Sequence, residues 1–175
     1  IWFEGTYGRF ESDGDDDGKF AVASVGADYL VNRNLLVGAF FQVDHLSQSP
    51  LADGSFVRGT GWLAGPYVTA RLSEHLFLDV LGAAGTSQNS INPLGTFTDD
   101  FDARRWLASA QVSGQWTYGA WTFSPRAGLS WFGERTKAYA DGLGVTVPSV
   151  DYSVGQVAFG PGVSYRHLTE GGYVI

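Results

Sequence analysis

The 175-residue chain contains no cysteine and no methionine, and it has few lysines. Without cysteine, disulfides and thiolate metal sites are excluded, whereas an oxidising compartment such as a periplasm stays permitted. No apolar run reaches the ~18 residues that a membrane-spanning helix needs, so no such helix is predicted. Charged residues make up only 17% of the chain and the net charge is −7, which argues against nucleic acid as a partner.

Glycine and aromatic residues are abundant instead, with 24 glycines and 15% aromatic residues. A composition rich in both and poor in helix formers favours a closed β-barrel over a helical or mixed fold. The length indicates one domain, 1–175. No signal peptide opens the sequence, although a barrel needs one to reach an outer membrane, so we expect a mature or excised piece.

Residues 103–118 alternate most clearly between apolar and polar side chains. The even-numbered positions, which form one parity, carry small aliphatic residues with Trp106 at one end and Trp116 and Tyr118 at the other. The opposite parity is rich in serine, threonine and glutamine. Since side chains of a strand point alternately to opposite faces, this pattern predicts a strand with one apolar and one polar side. Aromatic residues at both ends of the apolar side are typical of a strand that crosses a membrane.

The alternation recurs eight times, with connections that alternate between short and long. The predicted strands span 1–10, 20–31, 35–46, 57–72, 76–88, 103–118, 121–136 and 152–167. A ninth strand would begin at Tyr173. Alternating connection lengths predict that the short turns face the periplasm and the long loops face outside. The predicted fold class is therefore all-β, an antiparallel up-and-down transmembrane β-barrel with eight strands and the start of a ninth.

The apolar parity of each strand is interpreted as its lipid-facing side. No charge lies in the middle of these rows, where an arginine would cost about 2–4 kcal/mol. Eight aromatic residues are predicted to lie at the membrane interfaces: Tyr29, Trp62, Trp106, Trp116, Tyr118, Trp121, Trp131 and Tyr165. Three prolines lie on the same side of their strands: Pro66, Pro125 and Pro161. Because proline has no backbone N–H to donate to a neighbouring strand, we expect local bulges at these positions.

The opposite parity collects charges of both signs among small and polar residues. The predicted lumen-lining charges are Glu4, Asp28, Asp79, Arg71, Arg105, Arg126, Glu134 and Arg166, and Asp44 shares their parity. Such charges can pair across a lumen that holds water. A soluble β-sandwich would instead bury the apolar face, and periodicity alone does not separate the two arrangements. The aromatic residues at both strand ends favour the membrane interpretation.

One acidic segment matches the opening of a calcium-binding loop, because Asp13, Asp15, Asp17 and Gly18 form D-x-D-x-D-G. The loop's last position should be a bidentate glutamate, but Ser24 stands there, inside a predicted strand. We therefore interpret the segment as an acidic, solvated extracellular loop and expect no metal site.

The three histidines, His45, His75 and His167, do not form a recognisable catalytic group. Asp44 and His45 are sequence neighbours and would face opposite ways on a strand. Ser130 lies in G-L-S-W-F-G, which lacks the G-x-S-x-G spacing of hydrolases. The sequence therefore predicts no enzyme activity and no cofactor.

Several segments share loose glycine and aromatic spacings. They are V-G-A-D-Y-L-V-N-R-N-L-L-V-G-A-F at 25–40, I-W-F-E-G at 1–5, G-P-Y-V-T-A-R-L at 65–72, F-S-P-R-A-G-L-S-W at 123–131, K-A-Y-A-D-G at 137–142 and F-G-P-G-V-S-Y-R at 159–166. Together they resemble the β-domain of classical autotransporters, the type V secretion proteins of Gram-negative bacteria. The resemblance covers nearly the whole chain.

The resemblance implies a twelve-stranded barrel in the bacterial outer membrane, crossed by a helix that links it to an exported passenger. It implies three partners: outer-membrane lipid, the protein's own passenger or linking helix, and the barrel-assembly machinery. The sequence departs from the family pattern at both ends, because no linking helix precedes Ile1 and the family's last strands do not follow Ile175. We therefore expect 1–175 to be an incomplete barrel.

Three functions stay open on the sequence, the third being a soluble β-sandwich that acts as a binding module. A translocator barrel would anchor a passenger and help it cross the membrane through a polar lumen, without covalent chemistry. A self-contained eight-stranded barrel would act as an adhesin or structural anchor through its acidic loops, since eight strands can close around a side-chain-filled interior. The order of the motifs favours the translocator.

Overall fold

The computed structural model describes residues 1–12, 16–48, 54–93, 95–169 and 172–174. The strands in chain order are β1 (Trp2–Ser12), β2 (Asp16–Asn32), β3 (Leu35–Gln48), β4 (Phe56–Arg71), β5 (Leu76–Asn92), β6 (Asp99–Gly114), β7 (Trp116–Tyr118), β8 (Trp121–Phe123), β9 (Arg126–Thr136), β10 (Tyr139–Ala140), β11 (Thr146–Val147), β12 (Asp151–Gly160), β13 (Val163–Tyr165), β14 (His167–Thr169) and β15 (Gly172–Val174). Over these ranges no helix is long and apolar enough to span a membrane.

Eight of the strands form one antiparallel sheet in the order β1-β2-β3-β4-β5-β6-β9-β12. Strand order follows chain order, as in an up-and-down barrel. The short strand β8 pairs with β7 on one side and β13 on the other, and β7, β8 and β13 continue β6, β9 and β12 respectively toward the short turns. Gly119, with φ of +59°, lies in the two-residue turn between β7 and β8, a conformation that glycine adopts without strain. The eight predicted strands are confirmed.

Two differences separate the predicted strands from the observed ones. Three strands extend four residues further toward the long connections, since β2 begins at Asp16, β5 continues to Asn92 and β6 begins at Asp99. The connection after β9, which the sequence predicts to be a long loop, contains a small hairpin of β10 and β11. The expected ninth strand does begin, because β15 pairs with β14 and places Tyr173 opposite Leu168.

The bulges expected at the three prolines are not formed. Register is the same on both sides of Pro66, because Ala64 pairs with Ala84 and Tyr67 with Leu81. The ladder between β4 and β5 therefore skips the proline without inserting a residue.

At the other two prolines the strands break briefly and resume in the same register. Ser124 and Gly162 exchange two backbone hydrogen bonds, of 2.7 and 2.9 Å. Pro125 and Pro161 therefore lie opposite each other at a non-hydrogen-bonded pair, where neither removes a donor from the bonds between these strands.

Cross-strand register defines two faces of the sheet. The outer face carries Ala110, whose neighbours are Val80 and Leu129. The inner face carries Gln111, whose neighbours are Asp79 and Gly128. The apolar and polar parities of the separate strands thus align into two continuous surfaces.

The sheet curls into a half-barrel, with the inner face concave. A nitrogen of Arg105 on β6 lies 2.7 Å from a carboxylate oxygen of Asp44 on β3. These strands are three steps apart, roughly 14 Å in a flat sheet at ~4.8 Å per step. Such a contact requires the sheet to curve toward this face.

Apolar side chains are most exposed on the outer face. Val157 and Phe159 are 81% and 85% exposed there. The buried apolar residues among those described are Phe40, Leu63 and Ala103, all on the inner face. An exposed apolar face and a charged concave one are the reverse of what a soluble sandwich needs.

Candidate functional site

Arg105 is the centre of an ion-pair cluster on the inner face. Its Nη1 lies 2.7 Å from Oδ1 of Asp44, and its Nε lies 2.9 Å from Oε2 of Glu134. The three side chains are only 16%, 19% and 22% exposed, in the order Arg105, Asp44, Glu134. The guanidinium also lies over the ring of Phe132, 5.4 Å from its centroid. This cluster ties together β3, β6 and β9.

A glycine beneath the arginine makes this contact possible. A Cβ at Gly61 on β4 would lie 1.9 Å from Nη1 of Arg105 and 3.1 Å from Oδ2 of Asp44. Any larger residue at this position would therefore push the guanidinium away from its partner.

A second cluster, centred on Tyr67, ties β1, β2 and β4 together. Nε1 of Trp2 donates to the Tyr67 hydroxyl at 2.8 Å, and that hydroxyl donates to Oδ2 of Asp28 at 2.9 Å. The two rings lie over glycines of the intervening strands. A Cβ at Gly26 would lie 2.4 Å from the Trp2 ring, and one at Gly38 would lie 2.3 Å from the Tyr67 ring.

The structure does not bring the predicted lumen charges into one network. Asp79 accepts a 2.6 Å hydrogen bond from Thr69, its cross-strand neighbour. Arg71 turns instead toward the short connection, where its Nε donates to the carbonyl of Ser73 at 3.1 Å and its Nη2 to that of Glu74 at 3.2 Å.

Two further predicted arginines lie near the short-turn end. Arg126 is exposed on the inner face opposite Ser113, and it lines a cavity of about 410 Å³ together with Gln111. Arg166 is exposed between β13 and β14, and its backbone nitrogen donates to the carbonyl of Ala120 at 2.8 Å.

A cavity of about 510 Å³ occupies the concave side of β1 to β6. Its polar lining includes Glu4, Ser24 and Gln42, and its apolar lining includes Phe40 and Leu107. The sequence-based prediction for this face named only its charged residues and not its aromatic and apolar ones. A signal was present, since Trp2 and Tyr67 share the parity of the charges.

The structure places the eight predicted interface aromatics on the outer face, in two groups. Toward the short turns lie Tyr29, Trp116, Tyr118, Trp121 and Tyr165. Toward the long connections lie Trp62, Trp106 and Trp131. Trp121 and Trp131 are ten positions apart in sequence. In a strand tilted by about 40° this separation corresponds to a height of roughly 25 Å, the size of the apolar band of an outer-membrane barrel.

The remaining candidate residues do not converge. His45 shares a 2.9 Å hydrogen bond with Thr60, whereas His75 lies beside Trp116 and His167 beside Tyr165. Within the described ranges, no group of three histidine, aspartate or glutamate side chains could hold a metal ion. Asp13 and Asp15 of the calcium-loop motif lie outside the described residues.

The curled up-and-down sheet, with one apolar and one charged face, defines the chain as a β-barrel protein of the outer-membrane type. The chain belongs to the autotransporter β-domain family, since the family model described as "Autotransporter beta-domain" matches residues 1–175. The members of this family are translocator and anchor domains of outer-membrane barrels rather than enzymes.

A solved structure shows the same fold. The chain is similar to the crystal structure of the β-domain of the Bordetella autotransporter BrkA, with a TM-score of 0.77 and 17% sequence identity. The match covers 98% of this chain and 72% of that one. No curated protein sequence matches the chain.

Proposed function

We propose that this chain is a translocator barrel of the bacterial outer membrane, which anchors a passenger and helps export it through a polar lumen. The observation that carries the proposal is the pairing of a concave charged face with a convex apolar face throughout a chain that matches the family over its whole length. The transport is mechanical, and no side chain performs covalent chemistry.

In this proposal the outer face contacts lipid. The two aromatic groups mark the membrane interfaces, and the small aliphatic residues between them face hydrocarbon. The barrel-assembly machinery inserts the strands. The short turns, such as that at Arg33, face the periplasm, and the hairpin of β10 and β11 faces outside.

The inner-face charges have two roles in this proposal. The Arg105 and Tyr67 clusters hold the wall in its curved shape, because each ties three strands together. The more exposed Glu4 and Arg126 face the passenger or its linking helix. Charges of both signs suit a lumen that an extended chain slides along without binding tightly.

The adhesin function has less support. Within the described residues, β1 pairs with β2 and β12 with β9, so the main sheet is open. This arrangement does not favour an eight-stranded barrel that closes on itself.

Narrowing the lumen tests the proposal. Ser109 on the inner face lines the 510 Å³ cavity, and the next residue, Ala110, lies on the outer face. In the full-length protein, Ser109→Trp should leave barrel insertion intact and slow the appearance of protease-accessible passenger at the cell surface. Ala110→Trp adds the same side chain on the lipid side and should leave export unchanged. Equal export by both variants and the parent would contradict transport along this face.

A further inference from the structure

A groove crosses the outer face where the apolar band ends. Two adjoining cavities, of about 440 and 680 Å³, share the lining residues Thr60, Gln88, Asp102 and Lys137. The first cavity continues toward the apolar band and the second toward the long connections. We call the combined feature the interfacial groove.

The lower part of the interfacial groove is apolar. It is lined by Phe41, Val43 and Trp62, whose side chains are exposed. The rings of Phe41 and Trp62 stack with centroids 6.2 Å apart. An exposed slot of this chemistry, beside one of the two aromatic groups, suits a hydrocarbon chain.

Charges of both signs lie at the interfacial groove: its upper part is lined by Arg58, Asp100, Asp102 and Lys137, and Arg104 lies beside its lower part. Lys137 Nζ lies 2.9 Å from Oδ2 of Asp102 but is still 57% exposed. Arg58 lines the groove with its guanidinium 4.8 Å from the centroid of the Phe56 ring, and Arg104 is the cross-strand neighbour of the groove residue Thr86. Neither arginine has a carboxylate partner among the residues that the structure describes, so both are available to an anion.

The upper part also presents neutral hydrogen-bonding groups. Gln88 and Thr60 line it from the outer face. Asn89 and Phe101, which have the register of the inner face, line it near the strand ends, where the rings of Phe101 and Tyr139 stack with centroids 5.2 Å apart. Burial raises the pKa of the Tyr139 hydroxyl, and nearby carboxylates raise it further. The hydroxyl therefore keeps its proton at neutral pH and can donate. Amides, hydroxyls and aromatic rings together suit a saccharide.

We propose that the interfacial groove binds an anionic glycolipid, a phosphorylated saccharide that carries acyl chains, from the surrounding leaflet. An acyl chain lies on Phe41 and Trp62, a phosphate pairs with Arg104 and Lys137, and sugar hydroxyls bond to the amides above. The support is charge complementarity, since Arg58 and Arg104, which have no carboxylate partner among the described residues, and the half-exposed Lys137 border a slot that is apolar on its membrane side. The inference rests on the proposed function, because it requires the outer face to lie in lipid.

The test measures glycolipid affinity of the full-length protein purified in detergent, by native mass spectrometry. The probe is a hexa-acylated disaccharide lipid with two phosphates, compared with its dephosphorylated form and with phosphatidylglycerol. Arg104→Gln combined with Lys137→Gln should weaken binding of the phosphorylated glycolipid roughly tenfold or more, since hydrogen bonds to charged groups are lost. The control is Arg33→Gln, an exposed arginine in a turn at the opposite end of the strands, and it should bind like the parent.

Three results would overturn the proposal that the interfacial groove binds an anionic glycolipid. These are unchanged affinity in the double variant, equal binding of the dephosphorylated lipid, and equal binding of phosphatidylglycerol. Heat-modifiable migration on gels reports whether the protein folds and inserts. It therefore distinguishes failure of the glycolipid proposal from failure of the proposed barrel function. A parent protein that does not insert into lipid would overturn the proposed function as well, whereas normal insertion without glycolipid discrimination would overturn the groove alone.

Discussion

Nη1 of Arg105 on β6 lies 2.7 Å from Oδ1 of Asp44 on β3, so one side chain bridges the two strands between them. Gly61 on β4 leaves the space through which the arginine passes. The curvature of the wall and this ion pair therefore depend on each other.

Gly61→Ala should break the Arg105–Asp44 contact, because the added Cβ would lie 1.9 Å from Nη1. The arginine can swing away, so the fold should survive with a loss of roughly 1–3 kcal/mol from the uncompensated charges. Urea unfolding in detergent, followed by tryptophan fluorescence, measures this loss. Gly82→Ala is the matched control, since a Cβ there meets nothing within 4 Å. Equal midpoints for the two variants would contradict the role given to Gly61.

Arg105→Ala and Arg126→Ala should differ although both remove an inner-face arginine. Arg105 is 16% exposed and contacts two carboxylates, so its removal should cost roughly 1–3 kcal/mol. Arg126 is exposed, and its removal should change stability by less than about 0.5 kcal/mol. In the full-length protein Arg126→Ala should instead alter the rate of passenger export. The same unfolding assay, paired with surface proteolysis, separates the two effects, and an equal stability loss would contradict the distinction.

Ala110→Arg should impair insertion, whereas Gln111→Arg should be tolerated. Ala110 lies between Val80 and Leu129 on the outer face, and an arginine in hydrocarbon there would cost about 2–4 kcal/mol. Gln111 is exposed on the inner face. Heat-modifiable migration on gels reports folding and insertion. Similar migration of the two variants would show that neighbouring positions of β6 do not face different environments.

Single-cysteine labelling tests the orientation across the membrane. The 175 residues contain no cysteine, so a label reports one position in this part of the protein. Leu143→Cys, in the exposed connection between β10 and β11, should react with an impermeant maleimide in intact cells. Arg33→Cys, in the short turn after β2, should react only after the outer membrane is permeabilised. The opposite pattern would reverse the orientation.

The period-two pattern predicted eight strands and which side chains share a face, and the alternating connection lengths indicated an up-and-down order. Register in a sheet is set by this pattern, because a slip of one residue would move every apolar side chain to the other face. The prolines could not be placed from one strand at a time. Pro125 and Pro161 were each considered on one strand, but they are accommodated as a pair lying opposite each other, and this is visible only once the register between the strands is known.

Predicting the two inner-face clusters would have required the curvature of the sheet, which the sequence does not specify directly. Parity placed Arg105 and Asp44 on one face but three strands apart, a separation at which a flat sheet would keep them from touching. Gly61 and Gly38 were the missing information, since they mark the places where a side chain from another strand lies on the backbone. The interfacial groove was missed for a similar reason. Lys137 lies just beyond the end of β9, where its backbone nitrogen donates to the carbonyl of Asp102 and its side chain pairs with the Asp102 carboxylate, a position known only from the register with β6.

Quenching by spin-labelled lipid along β6 tests the central claim most directly. Single cysteines at residues 106 to 112, each carrying an environment-sensitive fluorophore, would be measured in bilayers that contain nitroxide lipids. The account predicts a period of two, with strong quenching at positions 106, 108, 110 and 112 and weak quenching at 107, 109 and 111. Uniform quenching, or quenching strongest at the Ser109 and Gln111 positions, would contradict a barrel wall with lipid outside and a polar lumen within.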